Sequence, residues 1–144
     1  MKIVAPILFF LLSVCTYSQG WKETYGEALT ASVDQKKAII LVFAGSDWCA
    51  PCMKLDNNIW QSEEFKAYSK ENYILYKADF PRKKSNQLSV KLIEQNAALA
   101  DRFNPKGHFP LVVVLNHEEK VMGKMGYKKV NPAEYISLLN NYLK

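Results

Sequence analysis

Cysteine is scarce, with three in 144 residues, which excludes a disulfide-dense miniprotein. The chain holds 2 histidines, His108 and His117, and they have no paired spacing. A zinc site takes four ligands, so metal is a weak competitor for the remaining cysteines. Charge of one sign is never concentrated: Lys plus Arg number 19 against 14 Asp plus Glu, a net +5 spread along the chain. That excess does not argue for nucleic acid. There is no internal repeat and no low-complexity segment. No apolar run reaches the ~20 residues that span a bilayer. What is present is the balance of one globular domain, 49% hydrophobic, 23% charged and 12% aromatic.

The N-terminus reads as a leader. Lys2 is followed by an apolar stretch from Ile3 to Val14, then by Thr16-Tyr17-Ser18-Gln19. A basic start, a short apolar run and small residues at a cut site form a secretory signal. Residues 1–18 are therefore expected to be removed and residues 19–144 to form the domain. The alternatives are a lipoprotein through Cys15, for which Val14 is bulky, and a membrane anchor, for which the run is short. Cleavage removes Cys15 and leaves Cys49 and Cys52 in a periplasmic or secreted protein.

The rest alternates helical and strand patterns. Trp21 to Val33 is predicted helical, with Trp21, Tyr25, Ala28, Leu29 and Ser32 on one face. Ala38 to Ala44 (AIILVFA) is a continuous branched apolar run, the mark of a strand buried on both faces. Further helices are predicted from Ala50 to about Trp60 and from Ser62 to about Lys70. A strand follows from Tyr73 to Ala78. Asp79 to Gln87 is a basic loop, and Leu88 to Phe103 a helix with Leu92, Ile93, Leu99, Ala100 and Phe103 inward. Strands at Leu111–Leu115 and Lys120–Tyr127 flank a turn, and Pro132 opens a last helix to Leu143. The first two strands, linked through a helix, should be parallel with a right-handed crossover. The last two, linked by a short turn, should be antiparallel.

Cys49 and Cys52 are the chemistry-bearing pair. A bridge between them closes so small a loop that it adds little stability, so a structural role explains it poorly. Cys49 falls at the N-cap of a helix, where free N–H groups favour a thiolate, expected below the free-cysteine value of about 8.5. Cys52 falls one turn deeper, shielded by the strand that carries Phe43. Such a pair can exchange disulfides, the first sulfur attacking and the second resolving. Trp60 and Met53 are expected in the core. Asp47 either caps its loop or influences Cys49. His108 reads as a surface turn residue, and Arg82-Lys83-Lys84 as a solvated loop.

The strand, then Trp48-Cys49-Ala50-Pro51-Cys52, then a helix, with Pro110 opening a later strand, resembles the thioredoxin-like superfamily. Gly45-Ser46-Asp47, Ser62-Glu63-Glu64-Phe65 and Asp79-Phe80-Pro81 resemble its exported bacterial branch. They are also similar to the C-terminal domain of the membrane disulfide reductase that supplies periplasmic electrons. The resemblance spans roughly Ala38 to Lys144. It implies an α/β thioredoxin fold, a mixed four-stranded sheet of order 2-1-3-4 flanked by helices, with an extra helix at the N-terminus. It also implies a cis Phe109–Pro110 bond facing the cysteines. Catalysis would fall to Cys49 and Cys52, and substrate contact to Trp48, Ala50, Pro51, Phe109 and Pro110. The implied activity is reduction of protein disulfides, without cofactor or metal. Isomerase or oxidase activity, or a non-catalytic binding module, are the alternatives. The implied partners are disulfide-bearing proteins and an upstream thiol donor, which the related reductase offers in membrane-bound form. A monomer is expected. Two departures point to a narrow substrate range. Phe43 replaces the buried Asp six residues before the first cysteine, so water or another carboxylate has to assist the resolving sulfur. Phe109 is bulky for its position.

Overall fold

The computed structural model describes residues 20–144. The expected leader, residues 1–18 with Cys15, lies outside the described residues. The first helix, α1, spans Tyr25–Gln35. It starts where a capping box starts it: the Thr24 hydroxyl accepts from the Glu27 N–H at 3.2 Å, and the Glu27 carboxylate accepts from the N–H of Thr24. That cap places Trp21 outside the helix, against expectation. Trp21 instead forms an isolated parallel bridge to Leu75, with the Lys22 N–H donating to the Leu75 carbonyl at 2.9 Å.

Strand β1 (Ala38–Ala44) is buried on both faces, as its unbroken apolar run requires. It pairs parallel with β2 (Tyr73–Asp79) and antiparallel with β3 (Leu111–Leu115). β3 pairs antiparallel with β4 (Val121–Met125), giving the order β2-β1-β3-β4. This is the mixed sheet and strand order expected. Ile40, Val42 and Ala44 face one core, and Ile39, Leu41 and Phe43 the other.

Between β1 and β2 lie α2 (Ala50–Leu55), a π-helical turn (Asp56–Trp60) and α3 (Glu63–Asn72). The wider π turn explains a correction. Met53 and Trp60, seven apart, would share one face of a regular helix. The i→i+5 turn breaks that register. Trp60 is buried at 2% exposure, and Met53 stands out at 40%.

Helix α4 (Val90–Phe103) is capped by Ser89, and α5 (Pro132–Asn141) by Asn131. On α4 the inward stripe is Leu92, Asn96, Leu99 and Phe103, spaced as one helix face. Ile93 lies one step round from that stripe and is 45% exposed, not inward as predicted. Buried Asn96 accepts from the Tyr76 hydroxyl at 2.7 Å and donates to the Asp79 carbonyl at 3.2 Å. Among the described residues no helix is long and apolar enough to cross a membrane.

Candidate active site

The site forms where β1 stops. After Ala44 the chain turns through Gly45-Ser46-Asp47-Trp48, and the Cys49 N–H closes the turn on the Gly45 carbonyl at 2.9 Å. Gly45 is required there, because a Cβ would overlap the folded-back indole of Trp48. That indole donates to the Phe80 carbonyl at 2.7 Å. Phe109 meets its edge, with ring centroids 5.3 Å apart, and the Arg82 guanidinium stacks 3.8 Å from its centroid.

Asp47 caps its loop. It accepts from the Arg82 N–H at 2.9 Å, the Lys83 N–H at 2.9 Å and the Asn86 amide at 3.0 Å. The basic loop is thereby tied down beside Trp48 at its Arg82 end. These donors, the Arg82 N–H foremost, hold the Asp47 carboxyl below the usual carboxylate range. A depressed folded value stabilises the loop above the unfolded value of about 3.9 and fails as pH falls through the folded one. Acid titration followed by amide NMR should therefore move the Arg82 and Lys83 signals together, with a midpoint below about 3.9. Asp47→Asn should abolish that transition. Separate midpoints, or persistence in Asp47→Asn, would assign the shifts elsewhere.

Cys49 is the N-cap of α2, and Pro51 sits in its first turn, where a missing N–H is not felt. Cys49 and Cys52 are joined as a disulfide with Cα atoms 5.2 Å apart, and the Cys52 N–H points at the Cys49 Sγ at 3.3 Å. Both cysteines are only 5% exposed. A Cys49 left open by its loop, as an attacking sulfur at a helix cap suggests, is not found in the oxidised pair: Trp48 and Phe109 pack against the cluster that holds both cysteines. Ala50 and Pro51 are exposed. A second correction concerns the strand beneath. Val42, Ala44 and Pro110 share a cavity wall with Cys52, while Phe43 packs with Phe80 on the opposite sheet face. Residues alternate along a strand, and Phe43 is one step out of phase.

The Phe109–Pro110 bond is cis, as expected. The loop before it is clamped by buried Asn104, whose amide donates to the His108 carbonyl at 2.8 Å and whose carbonyl accepts from the His108 N–H at 2.9 Å. Nothing in the sequence singles out Asn104, since Asn104-Pro105-Lys106-Gly107 marks only a helix end. Asp56 is likewise not singled out by the sequence. It lies four residues after Cys52 and pairs with Lys77 of β2 at 3.0 Å. Its signal was the i, i+4 spacing from a cysteine. Among the described residues no group of three or more His, Cys, Asp and Glu is placed to hold a metal ion.

Residues 20–117 match the sequence profile of the family described as thioredoxin-like. The chain belongs to the thioredoxin-like family. Within it, the disulfide bond reductase DsbH of Chlamydia pneumoniae is 35% identical over 122 residues, covering 85% of this chain and 72% of DsbH. The thioredoxin-related protein DsbJ of the same organism is 27% identical over 106 residues, which are 74% of this chain and 30% of DsbJ. A solved DsbH oxidoreductase superposes with a TM-score of 0.81 at 30% identity, covering 97% of this chain and 94% of that one. A thioredoxin from Thermus thermophilus shares the fold, with a TM-score of 0.62 at 14% identity over 85% of each chain. The thioredoxin fold of this family, with its extra N-terminal helix, is therefore the architecture described above.

Proposed function

We propose that this thioredoxin-fold thiol–disulfide oxidoreductase acts as a reductase of protein disulfides outside the cytoplasm. The observation that carries the reading is the Cys49–Cys52 disulfide at the start of α2, with Trp48 packed against its cluster and Pro110 beside Cys52 in the cavity wall. In the reduced protein the N–H groups at the helix start favour a Cys49 thiolate. Cys49 attacks a client disulfide, and Cys52 attacks the resulting mixed disulfide and frees the reduced client. Trp48, Ala50, Pro51 and the Phe109–Pro110 backbone form the surface that meets the client. The half-buried Phe109 ring narrows that surface. The direction rests on likeness to DsbH, named as a reductase. An upstream thiol donor restores the dithiol. One chain carries every residue named, so a monomer suffices.

Export rests on the leader read in residues 1–18, with residues 19–144 as the mature domain in the periplasm or medium. Insulin reduction with dithiothreitol tests the activity. The protein should accelerate precipitation of the freed B chain; an unchanged rate would make it a non-catalytic binding module. Equilibration with glutathione tests the direction. A potential well above the roughly −180 mV of protein disulfide isomerase would make it an oxidase instead.

A further inference from the structure

Client release needs a base. Cys52 must lose its proton before it attacks, and a thiol shielded from water ionises less readily than a free one. The cavity beside Cys52 has a volume of about 280 Å³, and Val42, Ala44 and Pro110 form apolar parts of its wall. Among the described residues that line it, Asp56 is the only acid and Lys77 the only cation. We infer that Asp56 accepts the Cys52 proton through water held in this cavity, and that Lys77 positions the carboxylate. The inference rests on the roles proposed above for Cys49 and Cys52.

The placement follows from the helix. Asp56 is four residues after Cys52, and its N–H bonds to the Cys52 carbonyl. Residues so spaced share a face, with Cβ atoms about 5–6 Å apart. That separation is wide for direct transfer and suits one bridging water. The cavity exceeds the ~30 Å³ share of a water molecule, and thiol, carboxylate and ammonium supply its polar partners. The Lys77 Nζ holds one Asp56 oxygen at 3.0 Å, and the Gln61 amide approaches the other at 3.3 Å. Lys77 is itself held 5.0 Å from the ring centroid of Trp21, which rests on Trp60 at 5.9 Å. The segment before α1 therefore braces the pair. Asp56 and Lys77 keep 32% and 30% of their side chains exposed, so the proton can exchange with solvent. Around the cavity, β2 contributes Lys77 and α2 contributes Cys52. β1 contributes only Val42 and Ala44, and the loop before β3 only Pro110. Ser46 of the active-site turn is bound to Asp79 at the end of β2.

In the step, the Cys52 proton passes through water to Asp56. The Cys52 sulfur bonds to Cys49, and the bond from Cys49 to the client sulfur breaks. The client sulfur leaves with the electron pair and takes up a proton from Asp56 or solvent. Over both steps the client disulfide gains two electrons and two protons, and Cys49–Cys52 is oxidised.

Stopped-flow mixing of the reduced protein with dithio-bis-nitrobenzoate resolves the step, because attack by Cys49 and resolution by Cys52 each free one coloured thiolate. Near pH 7, Asp56→Asn should leave the first release unchanged and slow the second about a hundredfold, the low end for a lost general base. The deficit should narrow as pH rises and close once the shielded Cys52 thiol ionises unaided, above the free-cysteine value of about 8.5. Asp56→Glu should retain the second release, and Lys77→Met should slow it less than Asp56→Asn does. A second release at the parent rate in Asp56→Asn, or a deficit that persists at high pH, overturns the inference alone. A parent protein with no second release overturns the cysteine roles and the inference with them.

Discussion

Cys52→Ser should accumulate mixed disulfides with its clients, and Cys49→Ser should trap almost none. The asymmetry follows from where α2 begins. Cys49 is the N-cap and receives the Cys52 N–H at 3.3 Å, so negative charge on its sulfur faces a donor. Cys52 lies within the first turn, against the cavity wall formed by Val42, Ala44 and Pro110. Without Cys52, attack still occurs and release does not. Without Cys49, attack itself is lost, and insulin reduction should fall by about 10³-fold or more, as expected when a nucleophile is removed. Thiol alkylation against pH, with intact mass of the adducts, reads the two sulfurs separately. If Cys52 were the more acidic and the trapping pattern reversed, the roles would have to be exchanged, although the fold would stand.

Trp60→Ala should destabilise the domain by about 3–5 kcal/mol, the range for removing a large buried aromatic. Trp60 ends the π turn and is almost wholly buried. Phe65 of α3 lies 4.6 Å away, Tyr135 of α5 5.5 Å and Trp21 5.9 Å, centroid to centroid. Its removal therefore loosens three segments that meet on the active-site side of the sheet, and the cavity it leaves has little chance to close. Met53→Ala, on the same run of helix but exposed, should change stability by less than about 0.5 kcal/mol. Urea unfolding of the two variants at matched pH measures the difference. Similar losses for both would mean that the π turn does not sort the two residues as described.

Much of this architecture is written in short stretches of chain. AIILVFA can be satisfied only by burial on both faces, and β1 lies between β2 and β3. The caps at Ser62, Ser89 and Asn131 act over three residues, which is why helix starts were legible to within a residue or two. The first helix misled because Trp21 fits the helical period while the cap at Thr24 decides where the helix opens. Ile93 misled because an apolar residue beside a helical stripe looks much like one on it.

The sequence by itself determined the reactive pair, the helix start beneath it and the run of strands and helices. Each depends on neighbours in the chain or on a period of two or of 3.6 residues. The proline opposite the reactive pair and the order of strands were legible only through the family resemblance. Tertiary structure alone decided which way the side chains around that pair would face. Phe43 turned to the far side of the sheet, and Met53 and Trp60 parted at a π turn. Asn104 became a clamp on the loop before Pro110. Asp56 met Lys77 across 21 positions of sequence. The last meeting depends on the parallel pairing of β1 with β2, which brings β2 back beside α2 after α3. No local pattern encodes that distance, because the free energy that sets it comes from packing the whole sheet against its helices.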